Sequence, residues 1–543
     1  MFSEPAVGEK FYGREDVLDI LNKRAIALKD GYRQNIALTG ASLSGKSSVL
    51  FKFLEAIKED DFVPIYVEVV KETFRAFAEK FIATMLYNSL LKKGEKAKPD
   101  LESLMSDASR LFPKTYFAIK HVFASIEKEQ CEEAYSALLE LTSILKQESN
   151  LPCIVIFDEF DNLERLGIKN PFAAFGKVIM VQKDTMYIVS SSRSLAIRKI
   201  ISEKLSLLFG SFEILKISNF GNRTSCEFLG NVLSGFDMDA FLKKFLIALT
   251  DGNPFYINKL AVKMKDIAIE RMTSYIDIEI VAEAILDLVY NSSGTIHQYL
   301  MSYLLELIDS KMKDLHISVL VSIAGGKNSA TNIARTLHVK QSVVTDALQR
   351  LSEQGLVTKS GTFYIIEDLM LEFWLKYVYD RKKKLLVDGA IDRVTLFRND
   401  IKSCIEEFKC EFAVPSIDRM ADLFNLFSNE LVSFDVKSSR MPHFSKVDVR
   451  SFPDSSRYLA ASFRGNYWIG QMYEHDITEG DVISYIKNVK NLGCKISCKL
   501  MISLKGIDEN AKLIAKELKI TIWDNRTVNM LLALYGKKRL IVL

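Results

Sequence analysis

A glycine-bounded loop near the N-terminus constrains this chain more than any other stretch. The apolar run Ile36–Leu38 leads into Gly40, and the loop ends at Gly45–Ser47 before a segment that favours helix. This is the G-x-x-x-x-G-K-[ST] pattern, in which glycine lets backbone N–H groups converge on phosphate oxygens. The helix that follows directs its N-terminal dipole at the same anion. The sequence therefore predicts a strand, a phosphate-binding loop and a helix, and with them a nucleotide site.

The polar residues of this loop have separate expected tasks. Lys46 is expected to reach the β- and γ-phosphates, Ser47 to ligate Mg²⁺, and Ser48 to contact the α-phosphate. The same loop contributes four more positions to the expected nucleotide site, namely Gly40, Ser42, Ser44 and Gly45. The predicted cofactors are therefore ATP and Mg²⁺.

The composition is that of an ordinary globular protein, with 48% hydrophobic and 26% charged residues. The 543 residues predict about three or four domains rather than one core. A net charge of +3 gives no bulk attraction for nucleic acid, so any DNA contact would need a local patch. Seven scattered cysteines do not suggest a disulfide framework. No apolar run approaches the roughly 18 residues of a membrane span, and the expected location is the cytoplasm, with no membrane partner.

A second constraint is the apolar run Cys153–Phe157, followed by Asp158 and Glu159. A continuous apolar run fits a central parallel strand covered on both faces, and its carboxyl end is where α/β sheets bind ligands. Asp158 is expected to contact Mg²⁺, and Glu159 to orient or deprotonate the attacking water. A surface carboxylate is the alternative for Glu159. With Lys46, the two acids predict ATP hydrolysis as well as binding.

Two weaker signals have both a functional and a structural interpretation. In Phe11–Glu15, before the phosphate loop, Tyr12, Gly13 and Arg14 either lie at the adenine or simply begin a capped helix. Arg193, at the end of a predicted strand, either stabilises charge on the γ-phosphate in cis or pairs with a structural carboxylate. We favour the nucleotide contact in both cases.

The stretch Gly252–Pro254 lies in a helical block after the last predicted core strand. Proline in the first turn of a helix loses no hydrogen bond, so a plain helix junction explains the stretch completely. A lid in which Pro254 also contacts the adenine explains why it follows the core.

The sequence between the phosphate loop and the apolar run Cys153–Phe157 has helical periodicity. Aromatic stripes predict helices from Lys71 to about Gln147, and the polar interval Lys92–Asp107 is predicted to be a loop between them.

Taken together, five stretches resemble the motifs of archaeal-type ATPases in the STAND branch of the AAA+ P-loop proteins: Phe11–Glu15, Gly40–Ser47, Ile154–Glu159, Ser192–Arg193 and Gly252–Pro254. The resemblance spans roughly residues 1–380. It implies a nucleotide-dependent switch in which a winged-helix domain closes over or releases the ATP site, with Arg193 as a sensor and Pro254 in a lid.

The expected winged helix is present as a pattern. It consists of three helices and a two-stranded wing, at His316–Ala324, Ala330–Leu337, Gln341–Gln354 and Gly355–Ile365. The third helix carries one cation, Arg350, and two acids, Asp346 and Glu353. This helix therefore has too little positive charge to make many phosphate contacts. We therefore predict an intramolecular role for this domain rather than DNA readout.

The last part of the chain has a different order of elements. Strands are predicted at Lys446–Arg450, Arg457–Phe463, Tyr467–Tyr473, Lys499–Ser503 and Ile520–Trp523, and helices at Asp481–Val489, Asn510–Leu518 and Val528–Leu534. This order resembles the restriction-endonuclease-like PD-(D/E)XK fold of the Mrr type, which implies an Asp and an acid-x-Lys on neighbouring strands to hold Mg²⁺. Asp448 fits the first position, but Gly470–Met472 supply neither carboxylate nor lysine, and Glu474 is the remaining alternative. We predict a recognition or docking domain without nuclease activity.

The predicted fold class is α/β, with a P-loop NTPase parallel sheet, a helical lid, a winged-helix domain and a C-terminal restriction-endonuclease-like α/β domain. The predicted boundaries are 1–220 for the ATPase core with an insertion at about 71–147, 221–305 for the lid, 306–380 for the winged helix, 381–405 for a basic helical linker and 406–543 for the nuclease-like domain.

The predicted function is a slow Mg²⁺-dependent ATPase that acts as a switch. Its nucleotide state would control winged-helix closure and the presentation of the nuclease-like domain to a protein partner or a second copy of the chain. The alternative is a DNA-binding ATPase of the replication-initiator or mobile-element type, because Asp158–Leu163 also resembles origin-recognition proteins. A nucleotide-locked scaffold that rarely turns over is a third possibility.

Overall fold

The computed structural model describes residues 4–58, 61–205, 210–308, 310–385, 392–434 and 437–541. The chain divides into two compact units, Met1–Asn219 and Phe220–Leu543. Within the predicted linker, residues 386–391 lie outside the described residues. No helix in the described ranges is long and apolar enough to cross a membrane.

A five-stranded parallel sheet forms the centre of the first unit. Its strands are β1 (Asn35–Thr39), β2 (Val63–Glu68), β3 (Cys153–Asp158), β4 (Thr185–Ser191) and β5 (Phe212–Lys216). Their order is β2-β3-β4-β1-β5, and each neighbouring pair is parallel. The carboxyl ends of β1, β3 and β4 therefore meet at one edge of the sheet. The predicted α/β class is confirmed.

Helices cover both faces of this sheet. They are α1 (Glu15–Lys29), α2 (Lys46–Ala56), α3 (Phe74–Lys92), α4 (Leu101–Leu111), α5 (Pro113–Glu127), α6 (Cys131–Ser149), α7 (Pro171–Val181) and α8 (Ser194–Lys199). On β3, Ile154 and Ile156 belong to the core that includes α1 and α2, whereas Val155 and Phe157 belong to the core that includes α3. The alternation explains why every residue of β3 is buried.

Part of the predicted loop Lys92–Asp107 is wrong, because α4 begins at Leu101. Asp100 caps this helix, its carboxylate accepting a hydrogen bond from the Ser103 N–H at 2.8 Å. An Asp at the N-cap satisfies a backbone donor that would otherwise lack a partner. The polar residues that indicated a loop thus include the N-cap and the first turns of α4.

The second unit contains fifteen α-helices within the described residues. They are α9 (Asn222–Val232), α10 (Ala240–Thr250), α11 (Pro254–Glu270), α12 (Ile278–Ile285), α13 (Thr295–Leu307), α14 (Lys313–Ala324), α15 (Ala330–Leu337), α16 (Gln341–Glu353), α17 (Leu369–Trp374), α18 (Asp380–Leu385), α19 (Arg393–Ala413), α20 (Ser416–Asn425), α21 (Glu479–Lys490), α22 (Glu509–Glu517) and α23 (Asn525–Leu534).

Its strands form one larger sheet and three small ones. They are β6 (Asp237–Met238), β7 (Tyr275–Ile276), β8 (Val357–Ser360), β9 (Phe363–Ile366), β10 (Leu431–Phe434), β11 (Lys437–Arg440), β12 (Lys446–Ser451), β13 (Arg457–Phe463), β14 (Asn466–Tyr473), β15 (Ile496–Ser503) and β16 (Thr521–Asp524). The helices α14, α15 and α16 precede the antiparallel pair β8–β9, which is the order predicted from the sequence.

The larger sheet has the order β12-β13-β14-β15-β16. The first two pairs are antiparallel and the last two are parallel. Asp448 on β12 is separated from Gly470 on β14 by the whole of β13. Arg450 at 2.8 Å and Lys446 at 3.0 Å pair with the Asp448 carboxylate and hold its pKa below the usual range. Within the described residues, no group of three or more His, Cys, Asp or Glu side chains is placed to hold a metal ion.

Candidate functional site

The glycine-bounded loop joins β1 to α2 at the carboxyl edge of the first sheet. Gly45 has φ 97°, a left-handed conformation that glycine adopts without strain, and Lys46 follows it as the first residue of α2. Gly40 is required for a different reason: a Cβ there would overlap the carbonyl oxygen of Ile217. Ile217 also donates its N–H to the Thr39 carbonyl at 2.6 Å. The loop backbone is therefore held close to the segment after β5.

Replacing Gly40 with alanine should displace this loop, because backbone carbonyls cannot move aside as a flexible side chain can. We expect destabilisation of about 1–3 kcal/mol, the usual cost of overpacking. Gly230 is the matched control, since it lies exposed within α9 with open space at its Cβ position. Urea unfolding monitored by the transition midpoint checks the difference. Equal midpoints for the two alanine variants would contradict the close approach at Gly40.

Lys46 lies behind the loop, with 5% of its surface exposed. Its Nζ donates hydrogen bonds to the carbonyl oxygens of Gly40 at 3.1 Å and Ala41 at 2.9 Å. Burial lowers the pKa of Lys46, and the nearby carboxylates of Glu159 and Asp158 oppose that shift. The structure thus brings the lysine of the first motif to the acids of the second.

The Asp158 carboxylate is surrounded by four donors. Its Oδ2 accepts hydrogen bonds from Ser47 Oγ at 2.7 Å and from the Tyr66 hydroxyl at 2.9 Å. Its Oδ1 accepts from Ser190 Oγ and from the Glu159 N–H, the latter at 3.1 Å. Ser47 and Asp158, the two predicted metal ligands, are therefore in direct contact. A hydroxyl and a carboxylate are hard oxygen ligands of the kind Mg²⁺ prefers, so this pair fits that ion.

Glu159 leaves β3 with φ 52°, and this turn directs its side chain toward the end of β4. Its Oε2 accepts hydrogen bonds from the Ser192 hydroxyl at 2.9 Å and the Ser192 N–H at 3.2 Å. Burial raises the pKa of Glu159, whereas Lys46 lowers it. A carboxylate whose proton affinity is raised by burial is better suited to accept a proton near neutral pH.

Arg193 pairs with a carboxylate of its own unit. Its guanidinium contacts the Asp161 carboxylate and donates a hydrogen bond to Asn162 Oδ1 at 3.1 Å. Asp161 also accepts from the Ser191 hydroxyl at 2.6 Å. Asp161 and Asn162, the two partners of Arg193, lie in the 3₁₀ turn Phe160–Arg165 that directly follows Glu159. This is the arrangement of the structural alternative, and the phosphate contact stays a prediction.

The segment before α1 lies against the phosphate loop. Arg14, at φ 72°, donates hydrogen bonds to the carbonyl oxygens of Ser44, at 3.3 Å, and Ser218. Burial lowers the pKa of Arg14. The Ala6 N–H donates to Ser48 Oγ at 2.9 Å. Tyr12 and Gly13, which directly precede Arg14, are thereby brought to the same end of the first unit.

Pro254 lies in the second unit and begins α11. The Asn253 side chain caps this helix by accepting from the Phe255 N–H at 3.0 Å. Gly252 has φ 70°, and a Cβ there would overlap the carbonyl oxygen of Phe220. The helix junction inferred from the sequence is present, and the lid role stays a prediction.

Two contacts at Asp158 were not predicted from the sequence, namely those from Tyr66 and Ser190. Tyr66 looks like one member of an apolar strand, and Ser190 like one of three consecutive serines. Only the strand order, with β2 and β4 on either side of β3, places both hydroxyls at that carboxylate.

Comparisons with known proteins agree with this architecture. Residues 10–170 match the family model of the AAA ATPase domain. The chain is similar to the Walker-type ATPase PABY2304 of Pyrococcus abyssi, with 18% identity, a TM-score of 0.51, and coverage of 69% of this chain and 99% of that chain. This likeness shows a shared fold, and the P-loop NTPase fold predicted for the first unit is confirmed. None of the curated proteins compared with the chain matches its sequence.

Two further solved structures have lower similarity. The ORC2 protein of Aeropyrum pernix, in ADPNP-ADP complexes, has 13% identity and a TM-score of 0.43, and the match covers 75% of this chain and 98% of that chain. The ORC1 protein of Aeropyrum pernix, in complex with DNA, has 16% identity and a TM-score of 0.38, and the match covers 70% of this chain and 96% of that chain.

Proposed function

We propose that the chain is a Mg²⁺-dependent ATP-binding and ATP-hydrolysing switch. The contact between Ser47 Oγ and Asp158 Oδ2, at 2.7 Å, is the observation that carries this proposal. It joins a phosphate-loop residue to a carboxylate 111 positions away in sequence. The match of residues 10–170 to the AAA ATPase domain supports the same function.

Each part of the site has a proposed task in binding. The N–H groups at the start of α2 and in the loop would hold phosphate oxygens, and Lys46 would neutralise their charge. Ser47 and Asp158 would hold Mg²⁺, which when bound supplies positive charge at the phosphate oxygens. Tyr12, Gly13 and Arg14 are proposed at the adenine, because Arg14 contacts the loop directly.

The proposed hydrolytic residue is Glu159. Its carboxylate, held by Ser192, would orient the attacking water and accept its proton. Arg193 stays the proposed sensor of the γ-phosphate, and that role requires its guanidinium to leave Asp161. Pro254 stays the proposed lid contact.

The proposed output is the second unit, in which the segments assigned to the winged helix and the C-terminal domain pack together. The wing turn between β8 and β9 contacts β10: the Thr362 N–H donates to the Leu431 carbonyl at 3.1 Å, and the Ser360 hydroxyl donates to the Ser433 carbonyl at 3.0 Å. Phe363 on β9 is buried in the core that includes α20 and α23. A wing held in this way moves with the C-terminal sheet.

The end of the chain contacts the proposed lid. Arg539 is ion-paired with Asp251, which directly precedes Gly252. The neighbouring Leu540 is held by Asn529 of α23 through reciprocal hydrogen bonds of 2.7 and 3.0 Å. A movement of the proposed lid would therefore reach the C-terminal domain through this ion pair. We propose that the domain then docks a protein partner or a second copy of the chain.

Replacing Gly361 with alanine should separate the wing from β10, because a Cβ at Gly361 would overlap the Leu431 carbonyl oxygen. Gly326 is the matched control, since it also has a positive φ but open space at its Cβ position. The two variants share the left-handed backbone strain, so the difference isolates the contact. We expect hydrogen exchange at the β8–β9 amides to rise at least about tenfold in the Gly361 variant only, which corresponds to about 1.4 kcal/mol of local opening. Equal exchange in the two variants would contradict this packing.

DNA binding is the second proposal, and it would need positive charge on α16, the third helix of the winged-helix segment. The exposed face of α16 carries Arg350 together with Asp346, so it has little excess positive charge. The wing contacts β10 through the Thr362 N–H and the Leu431 carbonyl. A gel shift with duplex DNA at low salt tests this alternative, and a salt-sensitive complex would favour it.

Phosphate release by the full chain tests the main proposal. With Mg²⁺ and about 1 mM ATP, near the upper end of ordinary KM values, we expect slow turnover that EDTA abolishes. A single-turnover measurement distinguishes a slow ATPase from a nucleotide-locked scaffold. No ATP binding with Mg²⁺ present would overturn the proposal.

A further inference from the structure

The Tyr66 hydroxyl contacts the Asp158 carboxylate but has no role in the proposed binding or hydrolysis of ATP. Tyr66 lies on β2, next to β3, and its hydroxyl donates to Asp158 Oδ2 at 2.9 Å. The tyrosine ring packs on Phe51 of α2, with ring centroids 4.8 Å apart. The phenol is therefore fixed at both ends, by an aromatic contact and by a hydrogen bond.

The same oxygen of Asp158 also accepts a hydrogen bond from Ser47. Tyr66 therefore contacts the carboxylate oxygen that lies beside the other predicted metal ligand. An ionised carboxylate has about four lone-pair sites, and four donors occupy them here. Ser47 can rotate its hydroxyl and offer a lone pair to a cation, because a serine hydroxyl both donates and accepts. The Tyr66 hydroxyl remains as a donor to Oδ2 when Ser47 turns toward the cation.

We propose that Tyr66 is a positioning residue for Mg²⁺: its hydroxyl fixes the plane of the Asp158 carboxylate so that Oδ2 faces a divalent cation beside Ser47 Oγ. This inference rests on the proposed function of the site. Residues that hold a metal ligand without touching the metal orient it, and losing one costs about 10–100-fold in metal affinity or activity.

Tyr66→Phe removes the hydroxyl and keeps the ring on Phe51. The matched control is Tyr187→Phe on β4, where a fully buried tyrosine donates instead to Gln182 Oε1 at 2.7 Å. The probe is a fluorescent ATP analogue, and the readout is its equilibrium binding, first in EDTA and then in a Mg²⁺ titration. Binding in EDTA reports the folded phosphate loop, whereas the Mg²⁺ midpoint reports the metal site.

We expect Tyr66→Phe to bind the analogue in EDTA within about twofold of wild type and to raise the Mg²⁺ midpoint at least about tenfold. Tyr187→Phe should leave both quantities unchanged. An unchanged midpoint in Tyr66→Phe, or an equal shift in Tyr187→Phe, would overturn the inference. If the wild-type chain fails to bind the analogue with or without Mg²⁺, the proposed function falls instead.

A second variant covers the case in which Tyr66→Phe does not fold. Phe51→Leu keeps the hydroxyl but removes the aromatic support beneath the phenol. A rise of the Mg²⁺ midpoint of less than about tenfold is expected from the looser orientation. No rise in this folded variant would count against Tyr66 as a positioning residue.

Discussion

Replacing Lys46 with alanine is expected to weaken ATP binding by at least about 100-fold. A hydrogen bond to a charged group contributes about 1.5–3 kcal/mol, and about 2.7 kcal/mol corresponds to that loss of affinity. Lys46 is also a buried cation whose loss of a proton is opposed by the charges of Glu159 and Asp158. Its removal therefore leaves these acids free to repel the phosphates. Calorimetric titration of ATP with Mg²⁺ measures the effect.

Lys52 on the same helix is the control for this variant. It forms an i,i+3 ion pair with Glu55 at 3.0 Å on the surface, away from the loop. Lys52→Ala should bind ATP as the wild type does, because exposed pairs contribute little. Equal affinities of the two alanine variants would show that Lys46 does not contact the nucleotide.

Glu159→Gln is expected to bind ATP and fail to hydrolyse it. Loss of a general base typically slows a reaction about 10²–10⁴-fold. The amide oxygen of glutamine can still accept the hydrogen bonds of Ser192, so the geometry at the end of β4 should persist. Affinity should stay within about threefold, because only the transition state loses an interaction. Single-turnover hydrolysis and ATP titration together measure the two quantities.

The control for this variant is Glu164→Gln, in the 3₁₀ turn that follows Glu159. Glu164 pairs with Lys204 at an exposed position. Its replacement should leave turnover unchanged. Loss of affinity in parallel with turnover in Glu159→Gln would assign Glu159 to binding rather than to catalysis.

The parts of the site that were predictable from sequence are those fixed by local spacing. The loop from Gly40 to Ser47 was predictable because its two glycines and the helix that follows form a motif of fixed local spacing. Asp158 was predictable because a continuous apolar run is typical of a buried parallel strand, and the residue after such a strand lies at the edge of the sheet. These arguments require no knowledge of which strands are neighbours.

The remaining contacts depend on strand order and on turns. Tyr66 and Ser190 reach Asp158 only because β2 and β4 lie on either side of β3, and periodicity contains no information on that order. The sequence left two candidate partners for Arg193, the γ-phosphate and a structural carboxylate. In the structure Arg193 pairs with the carboxylate of Asp161, which the turn after Glu159 brings to the end of β4.

The packing of the β8–β9 hairpin could not be predicted from the sequence either. Alternating residues predicted the β8–β9 hairpin, but the partner of Phe363 lies in helices that begin more than fifty residues later. Core membership across such distances follows from tertiary structure and not from local pattern. The intramolecular role of this segment stays a prediction.

Hydrogen exchange of the Glu159→Gln chain, compared between Mg²⁺–ATP and Mg²⁺–ADP, tests the proposed switch most directly. Both nucleotides should protect the phosphate loop from Gly40 to Ser48. Only ATP should change exchange around Gly252 and in the β8–β9 hairpin, because the proposed signal passes from the lid to the C-terminal domain through Asp251 and Arg539. Identical exchange throughout Phe220–Leu543 in the two nucleotide states would contradict a nucleotide-driven switch.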